Sequence, residues 1–457
     1  INYVNGTTQW KAINTLDDVG ANITGTVFDN WAGPVKMAVG AEYRLQSLVE
    51  TSSVDDNTFN IQNLRVGLDG NTTSPGALQW TKNVTSPMHG AESVYEGDVE
   101  IDAPLLRDLP LIQSLDFNGA GRYTQYSTSG QAETWRVGLQ WRPIDDLRFR
   151  ATRSRDIRAP TLYDLFQNQS SQIGGLVDYL THTGGSVLNI LGGNPNLVPE
   201  VARNTTAGFV YTPGWMPNVM LSIDYYHSVV DNAIATVSGS ATATQQICIN
   251  SGGMSPLCNL VVRPYPVTDA TPANYPTLNY NVKQNVALVY AEGIDFTADY
   301  AADLSKIGWR GTLVLQLLWS HQPVLKNQTL PGTTIINVAG TSQTPKDRAS
   351  LQAQYTWGAL SISLLERYYG SFHFSGNPSL VEAYSLPAYW QTDIDLSYRF
   401  VLAGQPVTGF LNVNNLLNSF GANCCAFTNN PGMQYPVASF TDRIGRYFVL
   451  GMRFNTH

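Results

Sequence analysis

Two arginines, Arg155 and Arg158, stand close to Tyr163 and Phe166, and a second group gathers at Tyr368, Tyr369, Phe372, His373 and Phe374. Guanidinium forks hold carboxylates and phosphates in a two-point grip, and aromatic rings give flat platforms for sugars, peptides or aromatic chelates. The chemistry on offer is therefore binding, with Arg155, Arg158, Tyr163, Phe166, Tyr369 and His373 as the ligand candidates. Each has a plainer reading beside it. The arginines can equally brace a loop, and Tyr368, Tyr369 and Phe372 can form an aromatic girdle at a lipid interface.

Catalysis has no comparable support. The histidines His89, His182, His227, His321, His373 and His457 are scattered without an HExxH or other ligand spacing, so no metal site is expected. No GxSxG, phosphate-binding loop or dinucleotide fingerprint occurs, and the carboxylates lie in alternating rows rather than as a positioned acid and base. The sequence reads as a non-enzyme with no catalytic residue and no cofactor.

Cys248 and Cys258 lie ten residues apart in a stretch rich in Asn, Ser, Gly and Pro, and Cys424 and Cys425 are adjacent in another. Neither pair has zinc-site spacing, so a loop-stapling Cys248–Cys258 disulfide in an oxidising compartment is expected. The adjacent pair is open between a vicinal disulfide and two thiols.

Composition narrows the elements that carry these residues. In 457 residues only 14% are charged, against about 25% in an ordinary soluble protein. Aromatics reach 11%, and Gly, Pro and Tyr number 39, 24 and 23. The longest apolar runs, such as Leu313 to Trp319, fall short of the roughly 20 residues a membrane-spanning helix needs. The net charge of −8 comes with no basic stripe, so nucleic acid is not a partner. No signal-like segment opens the chain at Ile1, which points to a removed leader or a start elsewhere.

Alternation of period two dominates. Trp135, Val137, Leu139 and Trp141 share one face opposite Arg136, Gly138, Gln140 and Arg142. Thr392, Ile394, Leu396, Tyr398 and Phe400 oppose Asp393, Asp395, Ser397 and Arg399, and Glu96, Asp98, Glu100 and Asp102 alternate with Tyr95, Gly97, Val99, Ile101 and Ala103. The last such stripe is Ile444, Phe448, Leu450, Met452 and Phe454, broken by Arg446. Tight turns at 143–146, 212–217, 357–359 and 403–405 alternate strictly with long connections at 155–201, 231–286, 322–346, 370–388 and 415–441. That is the pattern of an all-β, transmembrane antiparallel barrel, with turns at the periplasmic side and loops outside.

About fifteen strands are legible, the first from Ala21 to Phe28. Barrels close with an even number, and every backbone group in lipid must pair. An odd count therefore makes this chain, 1–457, the C-terminal portion of a larger barrel. On the polar face, the acidic row near Glu96 and the arginines Arg122, Arg136, Arg142, Arg148 and Arg150 are expected to neutralise one another. The other reading of them is an anion path.

At Arg158–Phe166 the chain reads RAPTLYDLF, and at Gly193–Glu200 it reads GNPNLVPE. With GPVKMAVGAEYR from Gly33, DYYHSVVDNAI from Asp224, AEGIDFTADY from Ala291 and NVNNLLN from Asn412, the chain resembles the TonB-dependent outer-membrane receptors over most of its length. The motif residues carried over are Arg158, Ala159, Pro160, Asn194, Pro195, Leu197, Pro199 and Glu200. Asn194 and Glu200, stiffened by Pro195 and Pro199, are expected to fix the loop's return into the wall.

The resemblance implies a 22-stranded barrel with a plug in its lumen, of which this chain supplies about the last fifteen strands. It implies the outer membrane of a Gram-negative bacterium, lipid around the wall, and companions absent from this sequence: the N-terminal plug, the first strands and a TonB box. The function implied is active import of a scarce, large substrate. The Gly- and Asn-rich style is closer to receptors for carbohydrate or peptide than to compact siderophore receptors. The rival reading is a plugless surface barrel with adhesive or structural loops. An outer-membrane phospholipase or protease would need a Ser or Asp with His at the rim, and none assembles.

Overall fold

The computed structural model describes residues 9–52, 87–328, 330–373, 385–421 and 440–454. Strands are numbered along the chain. The wall consists of β1 (Trp10–Asn30), β2 (Gly33–Ser52), β3 (Met88–Leu109), β4 (Ile112–Tyr126), β5 (Gly130–Ile144), β6 (Leu147–Arg158), β9 (Glu200–Tyr211), β10 (Val219–Ser238), β12 (Leu278–Asp303), β13 (Thr312–Gln328), β15 (Asp347–Trp357), β16 (Leu360–Tyr369), β19 (Tyr389–Leu402), β20 (Gln405–Asn414) and β21 (Tyr447–Phe454). The connections carry β7 (Ser170–Asp178), β8 (Thr183–Gly192), β11 (Val261–Val262), β14 (Ile336–Asn337), β17 (Phe372–His373) and β18 (Ser385–Leu386), with helices α1 (Leu162–Phe166) and α2 (Thr242–Asn250).

All strands except β17 and β18 belong to one 19-stranded sheet, and its fifteen wall strands pair antiparallel in sequence order. This is the wall of a transmembrane antiparallel β-barrel. Among the described residues, β1 pairs with β2 alone and β21 with β20 alone.

The ladder register fixes what each face carries. One row of partners runs Trp141–Phe149–Phe209–Ile223–Phe296–Trp319–Ala349–Tyr368–Trp390. This is the outer, apolar face, and ring pairs such as Trp141–Phe149 (5.2 Å) and Tyr368–Trp390 (4.3 Å) lie on it. The inner face carries Glu96, Asp98, Arg122, Arg136, Arg150 and Asp224. Strand tilt makes each row climb from the turn end toward the loop end as it crosses the sheet.

Counted from the turn end, β13 presents Leu313, Leu315, Leu317 and Trp319 outward before His321, and β12 presents Tyr300, Ala298, Phe296 and Ile294 before Glu292. About nine residues of a strand tilted by about 40° rise roughly 23 Å, which matches the apolar band of such barrels. Above it the outer face turns polar: His227 lies beside Glu292 (3.8 Å) and His321 beside Asp347 (2.8 Å).

Several expectations need correction. The first strand begins at Trp10 rather than Ala21, because Asn14, Asp17 and Asp18 hid the alternation of its upper half. Short and long connections do not alternate strictly, since β4 and β5 meet at the loop end through residues 127–129. β10 and β12 outrun the bilayer, to 20 and 26 residues, which shortens the expected 231–286 connection to 239–277. Arg155 and Arg158 lie within β6 rather than past its top. Cys424, Cys425 and Phe374 lie outside the described residues.

Candidate functional site

The loop end of the wall is where the two sequence motifs meet. α1 starts at a capping box in which the Thr161 hydroxyl accepts from Asp164 N and the Asp164 carboxylate accepts from the Thr161 backbone N–H. Leu162 and Leu165 are buried, and Phe166 lies against β3 so closely that a Cβ at Gly90 would stand 2.5 Å from its ring. That glycine is what lets the helix lie on the wall.

The second motif docks on the first. Gly193 N donates to Gln167 O (2.9 Å) and Asn194 N to Asp164 O (2.8 Å), while the Asn194 amide donates to Lys283 O on β12 (2.9 Å). Leu197 is 1% exposed, and Asn285 holds Val198 from both sides, accepting from its N–H (3.0 Å) and donating to its carbonyl (2.8 Å). Lys283 stands 3.6 Å from Asp164. Burial alone would raise the Asp164 carboxyl, but the Thr161 hydrogen bonds and Lys283 outweigh it and hold it below the usual carboxylate range.

Arg158 and Glu200 are direct register partners and form a two-point ion pair of 2.7 and 2.5 Å. Glu200 also accepts from Ile234 N on β10 (2.5 Å). The geometry is that of a brace joining β6, β9 and β10 where the loop re-enters the wall.

Beyond the motifs, the 159–199 and 239–277 connections fuse. β8 pairs in parallel with the upper end of β12, and Cys248 is disulfide-bonded to Cys258. Asp178, fully buried, takes two bonds from Arg263 (2.6 and 2.8 Å) and one from the Thr181 hydroxyl (2.6 Å). Its burial opposes ionisation, yet Arg263 and Thr181 more than compensate and hold its carboxyl low. The Gln245 amide ties α2 to Val177 O and Ser240 O, and the buried Asn279 donates to Asn189 (2.6 Å).

Below this layer the inner face is a charge network. Glu96 accepts from Thr124 (3.1 Å) and lies 3.7 and 3.5 Å from Arg44 and Arg122, and Asn118 links Asp102 to Arg136. Arg150 on β6 reaches Asp224 on β10 (2.8 and 2.5 Å) across Gly208 of the strand between them.

The other sequence candidates separate. Arg155 shares the outer face with its partner Trp135, turned away from the lumen. Tyr163 on α1 is 44% exposed at the loop end. Tyr369 stacks on Phe440 (4.3 Å) with Tyr389 beyond it (6.2 Å), and Phe372 meets Phe440 edge-on while buried at 2% exposure. Of the three rings weighed as a girdle, the register puts only Tyr368 on the outer row, because Tyr369 falls on the opposite face and Phe372 leaves the wall. His373 lies in β17, its N–H bonded to Gly340 O (2.7 Å). The sequence did not reveal Asp178, Arg263, Gln245 and Asn279, since long-range partners up to 90 residues away leave no local pattern.

The family description "TonB dependent receptor-like, beta-barrel" matches residues 2–416. The chain belongs to the TonB-dependent receptor family. Similar solved structures include the siderophore receptor PirA from Acinetobacter baumannii, with a TM-score of 0.59, 15% identity, and coverage of 96% of this chain and 54% of that one. A mutant ferric enterobactin receptor, PfeA, from Pseudomonas aeruginosa in complex with enterobactin gives 0.58, 16%, 96% and 54%. FpvA of P. aeruginosa bound to heterologous pyoverdines gives 0.56, 14%, 98% and 49%. At these identities the likeness is one of fold, and the chain spans about half the length of those structures. No curated protein matches it.

Proposed function

We propose that this chain is the C-terminal barrel portion of an outer-membrane receptor that captures a scarce, large substrate at its loop end and imports it through the lumen. Family membership supports the transport class, and the residue-level support is the interlocked loop layer standing over a charge-lined inner wall. The edges of β1 and β21, which among the described residues pair on one side only, fit a further set of about seven strands, on this polypeptide or a companion, completing a barrel of the plugged, 22-stranded kind. The plug would dock on the inner charge network, and TonB would act through the region that carries the plug.

The loop end favours a neutral polar substrate, carbohydrate or peptide, over an anionic ferric chelate. The observation that carries this is that, among the described residues, the cations of the two motifs and the fused connections are each beside a carboxylate: Arg158 with Glu200, Arg263 with Asp178 and Lys283 with Asp164. Tyr163 and the surrounding amides remain for stacking and hydrogen bonding. A competition-binding panel on the full-length receptor tests this; displacement by oligosaccharides or peptides is expected, and a panel in which only ferric siderophores bind would overturn the substrate class. Peptide mass spectrometry of the purified particle tests the architecture, because a plug-bearing N-terminal piece should co-purify or lie on the same chain.

A further inference from the structure

We propose that Arg153, Arg155 and Arg203, clustered on the outer face of β6 and β9, bind the phosphate groups of a lipid headgroup in the leaflet at the loop end. The inference rests on the membrane-spanning reading of the barrel, which sets which side of the wall meets lipid.

The ladder carries the argument. Trp135, Arg155 and Arg203 are successive partners in one row, and Val137, Arg153 and Thr205 form the row below it. Trp135 and Val137 belong to the apolar stripe, so all three guanidiniums face away from the lumen. Arg155 and Arg203 stand on directly paired residues, and Arg153 is the next outward position on β6 toward the turn end. Counted from that end, Arg155 and Arg203 lie about nine residues up, at the boundary where β12 and β13 change from apolar to polar outward residues.

Among the described residues, two of the three, Arg153 and Arg155, make no ion pair. Arg153 donates to the Thr205 hydroxyl and Arg155 to the backbone carbonyl of Glu133, both neutral acceptors, while Arg203 pairs with Asp231 (2.6 Å). The row of Arg153 and Thr205 continues into His227, which has Glu292 beside it, and farther round the rim His321 has Asp347. In a chain of net charge −8, Arg153 and Arg155 therefore stand on one sector of the outer wall as two guanidiniums with no such pair, beside the Arg203–Asp231 and His227–Glu292 pairs and the outward-facing Glu133. The anion that reaches an outward position beside an apolar belt is a lipid headgroup, and a planar fork suits phosphate oxygens better than a point charge. Long stems let Arg153 reach upward to the same plane from within the belt.

The test uses the full-length receptor in phosphatidylcholine nanodiscs doped with diphosphoryl lipid A or its dephosphorylated form, with retained lipid counted by native mass spectrometry. Retention of the phosphorylated form alone is expected. The combined Arg153→Gln, Arg155→Gln and Arg203→Gln variant should retain about tenfold less, while the inner-face control Arg142→Gln should match the parent. Equal retention of both lipids, or an unchanged triple variant of normal heat-modifiable mobility, would overturn the proposal. Displacement by inorganic phosphate would overturn the lipid assignment in favour of a free-anion site. Failure of the parent to enter either nanodisc would overturn the membrane-spanning reading along with the patch.

Discussion

Gly208 shows how one residue governs a contact between two others. Arg150 and Asp224 sit two strands apart, and only a residue without a side chain leaves the path between them open; a Cβ at Gly208 would run into the Asp224 carboxylate and the Ile223 carbonyl. Gly208→Val should separate the pair and lower wall stability by about 1 to 3 kcal/mol, measured as earlier unfolding in a heat-modifiability series. Arg158 offers a sharper discrimination. If it braces the loop through Glu200, Arg158→Met should speed proteolysis within residues 159–199, with a stability loss of roughly 1 kcal/mol because the guanidinium is half exposed. Substrate affinity would then change little. A selective loss of affinity with unchanged proteolysis would make Arg158 a ligand contact instead. The motif was legible in sequence, but the Arg158–Glu200 partnership was not, because the two lie 42 positions apart in the chain.

At the scale of elements, alternation was a reliable guide wherever one face meets lipid and the other water. β5 and β19 show it residue by residue, and the expected fifteen wall strands are present. It failed where both faces are wet. The upper half of β1, the tops of β10 and β12 and the whole β7–β8 hairpin stand above the bilayer, so no solvent difference imprints a period on them. α1 carried a readable signal in Thr161 and Asp164, spaced as a capping box, yet its five residues are too few for helical periodicity to show. The fused loops also predict a pH response. The Asp178 carboxyl is held low in the folded state, so its contribution is fully present above the unfolded carboxylate value near 4 and is lost as pH falls through the lower folded value. Hydrogen exchange in residues 173–192 and 239–277 should accelerate below about pH 4, before the wall strands respond. Arg263→Met should bring the same acceleration at neutral pH, since it strands a buried carboxylate at a cost of about 3 to 5 kcal/mol.

For the molecule as a whole, two polar systems lie on opposite sides of one wall. On the inner face of β2, β3 and β4, Arg44 and Arg122 stand against Glu96 and Asp98, two cations to two carboxylates. The outer rim holds its cations against lipid, where the same residue types meet a different solvent. Composition alone could not have separated these populations; register does, because a one-residue shift exchanges every side chain between lumen and bilayer.

The ties among Asp178 and Arg263, Gln245 and α2, Asn189 and Asn279, and β8 and β12 also set a clock. Two connections joined at that many points have one relaxation time between them. A fluorophore at exposed Met254 and another at exposed Val177 should therefore report the same single-exponential rate after substrate is mixed in, and two distinct rates would show that the layer comes apart as it works.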